Sequence, residues 1–422
     1  MDYIKRIIDS ELKEKLEISG AVQIKGPKWC GKTTSAKQFA KSVIEMQNPE
    51  LQDNYIELAN TKPSLLLEGN KPRLIDEWQI VPKLWNAVRY SVDQSGLTNQ
   101  YILTGSATPI DDNSLHSGIG RFSIIEMKPL TLYESGDSNG KISLNDIKNG
   151  KCDIDGIKTD FTYEKIAYAL CRGGWPNSLK FSEKQALSIS KNYFKMLCES
   201  DISKVDNVKR DPELTRNILR AYARQVSTIN SDKSLFDDIK SNYADVSDMT
   251  IINYLRALKR LYIIEDIEAW NPNIRSKTSI RTSPKKSFVD PSLAVAALGC
   301  SVKELMLDIN TFGLLFENLV NRDLSVYTNK IGGNIKHFRD RYGLECDNII
   351  HFDDGSYALV EIKLSGSRVS EAESHLLELK RLIDESNTIK IKPNFLMIIT
   401  GTEMAYTTQN NVLVVPIGCL KD

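Results

Sequence analysis

The segment Gly26-Pro27-Lys28-Trp29-Cys30-Gly31-Lys32-Thr33 constrains this chain more than any other. It has the pattern G-x-x-x-x-G-K-T. The β-prone run Ala21-Val22-Gln23-Ile24-Lys25 leads into it, and a helical pattern over 34–43 follows, with Ala36, Phe39, Ala40 and Val43 on one face. Strand, glycine loop and helix form the setting in which this pattern cradles phosphate. Gly26 and Gly31 let the backbone curl so that N–H groups point inward, and the helix N-terminus adds its positive dipole end. Lys32 would reach the β- and γ-phosphates, and Thr33 would offer its hydroxyl to Mg²⁺. The nucleotide contacts expected on the loop are Gly26, Pro27, Lys28, Trp29, Cys30, Gly31, Lys32, Thr33 and Thr34, with ATP and Mg²⁺ as cofactors.

Further runs extend the site. Arg73-Leu74-Ile75-Asp76-Glu77 reads as a buried strand ending in two carboxylates. Asp76 would hold Mg²⁺ through its water shell, and Glu77 would polarise the attacking water as general base. Gln100-Tyr101-Ile102-Leu103-Thr104-Gly105-Ser106 reads as another strand, whose exit hydroxyls, Thr104 or Ser106, would touch the γ-phosphate or the water. Gly120-Arg121 precedes the strand Phe122-Ser123-Ile124-Ile125. Arg121 is either an arginine finger, which acting in trans needs a homo-oligomer, or a salt-bridged structural arginine. Tyr55-Ile56-Glu57-Leu58 supplies a further candidate strand, completing an open α/β sheet covered on both faces.

These features, with Met127-Lys128-Pro129-Leu130-Thr131-Leu132-Tyr133-Glu134, resemble AAA-type P-loop ATPases that carry a C-terminal domain of unknown function, DUF4143. The resemblance runs through nearly the whole chain. It implies a parallel sheet of strand order 5-1-4-3-2, Glu77 as catalytic base, and Arg121 at the family's Gly-Arg position. The expected divisions are an ATPase domain over 1–135, a polar, Gly/Asp-rich variable loop over 136–160, a helical connector over 161–300 and a C-terminal domain over 301–422.

In the connector, Gly173-Gly174-Trp175-Pro176 reads as a tight structural turn and resembles the family's Gly-Gly-aromatic-Pro signature. Helical runs over 235–241 and 247–258, followed by the strand-like Leu261-Tyr262-Ile263-Ile264-Glu265-Asp266-Ile267, resemble a winged helix-turn-helix. Arg275, Lys277, Arg281, Lys285 and Lys286 would be a basic wing on DNA phosphates, or a solvated loop. The chain's formal net charge is zero, so nucleic-acid contact must come from such a local patch.

The C-terminal region reads as α-β-β-β-α-β. Asp347 precedes Glu361-x-Lys363 across a hairpin; residues two apart on a strand share a face, so Glu361 and Lys363 point the same way beside Asp347. Two carboxylates would bind Mg²⁺ or Mn²⁺, with Glu317 on the preceding helix as a further ligand, and Lys363 would orient water or stabilise developing charge. The arrangement resembles the PD-(D/E)xK nuclease fold, with Cys346 standing where that fold often has proline. His337 and His351 are either further ligands or, as is commoner, surface or core histidines.

The expected function is an ATP-hydrolysing protein acting on nucleic acid, with a Mg-dependent nuclease-like C-terminal domain. The alternative is an ATP-dependent DNA- or protein-binding switch whose nuclease-fold module does not cut. The seven cysteines form no C-x-x-C pair, against a zinc ribbon or a thioredoxin motif. The absence of a long apolar run argues against a membrane span, and a cytoplasmic location is expected.

Overall fold

In a computed structural model, which describes residues 3–106, 118–206, 208–271, 282–340, 342–387 and 389–422, the strand before the phosphate loop is Ala21–Lys25 (β1). It is joined by Ser42–Glu45 (β2), Arg73–Asp76 (β3), Tyr101–Gly105 (β4) and Phe122–Glu126 (β5) in a parallel sheet of order β2-β3-β4-β1-β5. Counted from the other edge, this is the expected 5-1-4-3-2. Successive residues leave the strands on opposite faces. Ile75 and Leu103 join a core with Ile44, Trp78, Leu84 and Val88. Their neighbours Leu74 and Ile102 join another with Leu12, Val22, Ile24 and Ala36. The sheet is therefore covered on both sides and leaves its strand ends for chemistry.

Two element assignments change. The helix after the loop stops at Phe39, and Val43, expected on its face, lies in β2, where Ile44 pairs with Ile75. Ala40 turns extended, and the following β-branched pair favours a strand. Tyr55–Leu58 is not a strand but part of the helix Gln52–Thr61; Tyr55, Ile56, Leu58 and Ala59 pack on the first core at helical spacing. A four-residue apolar run does not separate the two by periodicity.

The residues cluster into two compact units. One holds 1–129, 200–210 and 255–263; the other holds 130–199, 211–254 and 264–422.

The second unit contains the short strand Ile142–Ser143 (β6) and the antiparallel hairpin Ile264–Ile267 (β7) with Lys285–Phe288 (β8). Its main sheet has six strands: Gly333–Arg339 (β9), Glu345–Phe352 (β10), Tyr357–Lys363 (β11), Leu396–Thr400 (β12), Tyr406–Thr407 (β13) and Val412–Pro416 (β14), in the order β13-β14-β12-β11-β10-β9. β9, β10 and β11 pair antiparallel, whereas β11, β12 and β14 run parallel. The helix Val369–Glu385 covers one face through Ala372, Leu376 and Leu379. With the long helix Ile309–Lys330 ahead of β9, the expected α-β-β-β-α-β order is present, followed by β13 and β14.

Segment 136–160 is not a bare loop. It supplies β6, paired with Leu420–Lys421 (β15), and the helix Leu144–Lys148, with Ile142, Leu144, Ile147 and Ile154 buried. Its polar residues outnumber these four anchors and hide them in the sequence.

The Gly-Gly-Trp-Pro turn is a packing device within this unit. A Cβ on Gly174 would lie 2.2 Å from Leu130 O. Gly174 N–H donates to Asp290 Oδ2 at 2.9 Å, and the same oxygen accepts from Arg322 Nη1 at 2.9 Å. Arg322 Nε donates to Asp323 Oδ1, while Asp323 Oδ2 accepts from Leu132 N–H, each at 2.8 Å. Burial pushes the Asp323 carboxyl up to about 6, against the pull of Arg322. No described helix is long and apolar enough to cross a membrane.

Candidate functional site

The phosphate loop turns at Gly26, whose φ of 147° is open to glycine and whose Cα approaches Met127 so closely that a Cβ would lie 2.2 Å from its carbonyl oxygen. Gly31, also at positive φ, starts the helix Lys32–Phe39, so the loop ends on the free N–H groups of a helix N-terminus. Lys32 is buried, its Nζ donating to Gly26 O at 3.0 Å and Pro27 O at 2.7 Å. Pro27 and Cys30 are buried, Thr34 and Trp29 exposed. Lys28 forms an ion pair with Asp201 at 2.7 Å within the same unit.

Asp76 is the meeting point of the site. Its Oδ1 accepts from Thr33 Oγ1 at 2.6 Å and from Thr104 Oγ1 at 2.5 Å. Thr104 stands opposite Asp76 in the β3–β4 register, so sheet pairing sets this contact. Glu77 follows with φ 55°, a left-handed turn that aims its side chain away from the strand direction. Ser106 Oγ donates to Glu77 Oε2 at 3.0 Å, and Gln79 Nε2 donates to the same oxygen. The two exit hydroxyls thus divide the work: Thr104 serves the first carboxylate and Ser106 the second. The loop N–H groups suit phosphate oxygens, and the Thr33 hydroxyl and Asp76 carboxylate suit a nucleotide-bound Mg²⁺, which keeps several waters and needs few protein ligands.

Arg121 stands elsewhere. Its carbonyl accepts from Ala21 N–H at 3.1 Å, at the start of β1, and the loop begins at the other end of that strand, roughly 16 Å away at about 3.3 Å per residue. Arg121 Nε donates to Asp93 Oδ1 at 2.7 Å. The structure does not bring Arg121 to the phosphate loop of its own chain.

Arg6, which no sequence motif marks, supports the loop. Its Nη1 donates to Cys30 O at 2.7 Å and its Nη2 to Lys128 O at 2.8 Å, while its backbone N–H donates to Asp9. It acts through carbonyls distant in sequence.

In the second unit, Glu317, Asp347, Glu361 and Lys363 converge as the strand pairing requires. Lys363 Nζ lies 2.6 Å from Glu361 Oε2 and 3.2 Å from Asp347 Oδ2. Asp347 sits at an irregularity in the β9–β10 pairing and accepts from Ile362 N–H at 2.8 Å. A fifth member joins them. Lys285, at the start of β8, places Nζ 2.6 Å from Glu317 Oε1, 2.9 Å from Asp347 O and 3.8 Å from Asp347 Oδ1.

This corrects the basic-wing reading. Lys285 and Lys286 are buried; Lys286 pairs with Asp232 at 3.2 Å. Arg275, Lys277 and Arg281 lie outside the described residues. His337 is a core histidine, and His351 lies along β10 paired with Tyr357.

Burial pushes the Glu317 carboxyl up to about 7 and the Glu361 carboxyl up to about 8, while Asp347 is held below its ordinary range because Lys285 and Lys363 outweigh burial. Both lysines are held above their ordinary value by these carboxylates, again against burial. Three carboxyl groups, two of them pushed toward the protonated form, therefore already face two ammonium groups. Among the described residues, no group of three or more histidine, cysteine, aspartate or glutamate side chains is arranged to hold a metal ion. At about 3 Å from an ammonium and an effective dielectric of about 20, a divalent ion meets repulsion on the order of 10 kcal/mol. The residues as arranged do not fit a metal at this cluster.

Comparison with known proteins gives three domain matches: an AAA domain over residues 19–135, a domain of unknown function (DUF8612) over 163–304 and another (DUF4143) over 312–420. Uncharacterized proteins of Mycobacterium tuberculosis and Mycobacterium bovis are each 25% identical over 382 residues, spanning 89% of this chain and 78% of the relative. Among solved structures, a Walker-type ATPase of Pyrococcus abyssi is 16% identical with a TM-score of 0.43, covering 70% of this chain and 96% of its own. A signal transduction ATPase with a tetratricopeptide repeat sensor from Pyrococcus horikoshii is 14% identical with a TM-score of 0.23, covering 78% of this chain and 50% of its own. The AAA and DUF4143 domains are present in this chain, and its five-stranded parallel sheet fits a P-loop NTPase.

Proposed function

We propose that the chain binds and hydrolyses ATP at the 26–33 loop and uses that cycle to switch a C-terminal half that engages DNA without cutting it. The observation that carries the ATP reading is the convergence of Thr33 and Thr104 on Asp76 Oδ1, behind a loop that ends at a helix N-terminus. Lys32 and the loop N–H groups would hold the β- and γ-phosphates. Thr33 and Asp76 would hold Mg²⁺, whose charge would offset the negative charge that builds up in phosphoryl transfer. Glu77 would accept a proton from the attacking water, and Ser106 and Gln79 hold its carboxylate for that step. Arg121 would reach a nucleotide only in another copy of the chain, as part of a homo-oligomer.

The non-cutting reading of the C-terminal half rests on the internally compensated cluster of Glu317, Asp347, Glu361, Lys285 and Lys363. DNA contact is supported by the order of elements, in which the helices Asp232–Lys240 and Asp248–Arg260 precede the hairpin β7–β8, as in a winged helix-turn-helix. A second reading, a Mg²⁺- or Mn²⁺-dependent nuclease of PD-(D/E)xK type, is favoured by one observation: Glu317, Asp347, Glu361 and Lys363 do meet in space.

The test incubates the protein with ATP and with single- and double-stranded DNA, in Mg²⁺ or Mn²⁺. Hydrolysis by the wild type that is lost in Lys32→Ala is expected, and absence of hydrolysis overturns the ATP reading. DNA retained uncut, with a shift that depends on ATP, is expected. Cleavage that disappears in Glu361→Ala replaces the first reading of the C-terminal half with the second.

A further inference from the structure

Lys285 is delivered to the acidic cluster by a backbone that has little room to move it. Its residue pairs with Ile267 across the β7–β8 hairpin. Just beyond β7, Trp270 N–H donates to His337 O at 2.6 Å and His337 N–H donates to Glu268 O at 2.9 Å, stitching the hairpin to β9. The side chain is 4% exposed, as sheltered as Glu361 at 3%. Its ammonium satisfies a carboxylate oxygen of Glu317 and the backbone carbonyl of Asp347, and stands near a carboxylate oxygen of Asp347. A backbone carbonyl with two carboxylates is a donor set of hard oxygens, the kind that binds a divalent cation. Here an ammonium fixed to the chain occupies it.

We propose that Lys285 is a tethered cation that takes the place of a divalent metal between Glu317 and Asp347 and thereby excludes it. Lys285 and Lys363 together compensate the carboxylates without any ion from solution, and Lys285 is the one that occupies the oxygen set of Glu317 and the Asp347 carbonyl. Removing the ammonium frees the oxygens of Glu317 and the Asp347 carbonyl and leaves Lys363 at Asp347 Oδ2 and Glu361. The inference rests on the non-cutting reading above, but its readout is metal affinity, so a chain that binds Mn²⁺ tightly without cutting sinks the inference and leaves that reading standing.

The experiment titrates nucleotide-free full-length protein with Mn²⁺ alone and follows the free-ion signal by electron paramagnetic resonance. It compares wild type, Lys285→Met and Lys285→Gln, the last retaining a hydrogen-bond donor to Glu317 and to the Asp347 carbonyl. Circular dichroism checks each fold. Wild type should bind Mn²⁺ at least tenfold more weakly than either variant, and adding Asp347→Asn to the Lys285 variants should abolish the gain. Equal Mn²⁺ affinity in wild type and a folded Lys285 variant overturns the proposal, as does a gain that survives Asp347→Asn. Should neither Lys285 variant fold, micromolar Mn²⁺ binding by wild type that Asp347→Asn removes also overturns it, whereas its absence at that concentration supports it.

Discussion

Thr104 donates its hydroxyl to Asp76 Oδ1 at 2.5 Å, and the two residues are direct partners in the β3–β4 register. The same oxygen takes the hydroxyl of Thr33 from the helix that follows the phosphate loop. One carboxylate oxygen therefore ties the strand exits to the loop. Replacing Thr104 with valine keeps the shape and removes one hydrogen bond to a charged group, which contributes about 1.5–3 kcal/mol. Thr104→Val should lower kcat for ATP hydrolysis roughly 10- to 100-fold with little change in nucleotide affinity, read by steady-state turnover and by titration with a fluorescent ATP analogue. A rise in KM with kcat intact would assign Thr104 to binding instead.

Glu77 is held by Ser106 and Gln79 on one oxygen. Glu77→Gln removes the base and keeps the volume, so turnover should fall by about 10²–10⁴ while ATP stays bound. Ser106→Ala should give a smaller loss of the same kind. Release of ATP by the Glu77→Gln protein, measured by nucleotide retention on a desalting column, would place Glu77 in binding.

The loop is legible in the sequence because its chemistry is local. Gly26, Gly31, Lys32 and Thr33 sit within one turn of chain, and Asp76 and Thr104 end strands whose apolar runs announce them. The cluster at Asp347, Glu361 and Lys363 is legible for a similar reason, since hairpin pairing brings them together. Lys285 is not, because its partners Glu317 and Asp347 lie 32 and 62 residues away and a lysine beside other basic residues reads as solvated. Arg6 escapes notice likewise, binding carbonyls of Cys30 and Lys128 that leave no side-chain signature. Val43 leaves its expected helix for β2, whose pairing with β3 decides the outcome, and Tyr55–Leu58 is helical because a four-residue run does not separate strand from helix by periodicity.

Arg322 sits fully buried between Asp290 and Asp323. Arg322→Met leaves two carboxylates facing no cation, and breaking a buried ionic pair from one side costs about 3–5 kcal/mol. The urea midpoint should fall accordingly, with m unchanged. Arg322→Met combined with Asp290→Asn and Asp323→Asn removes the stranded charge and should recover part of that loss. Recovery of none would show that the arginine acts through packing alone. Gly174→Ala, which places a methyl 2.2 Å from Leu130 O and 2.9 Å from Arg322 Nη1, should destabilise the same junction with every charged group retained.

His337 offers a pH test in the second unit. Burial, assisted by the Lys285 ammonium and by Arg339, pushes its imidazole from the ordinary 6.5 down to about 4. The folded protein then binds fewer protons at this site than the unfolded chain between those two values, so stability rises with pH across that window. The contribution is fully present above about pH 6.5 and is lost as pH falls toward about 4, amounting to about 3 kcal/mol for a shift of this size. His337→Asn does not titrate and should flatten that part of the profile. Urea unfolding at a series of pH values would show the wild-type and variant curves running parallel above pH 6.5 and diverging below it. Parallel curves throughout would mean that His337 is protonated as readily in the folded chain as in the unfolded one.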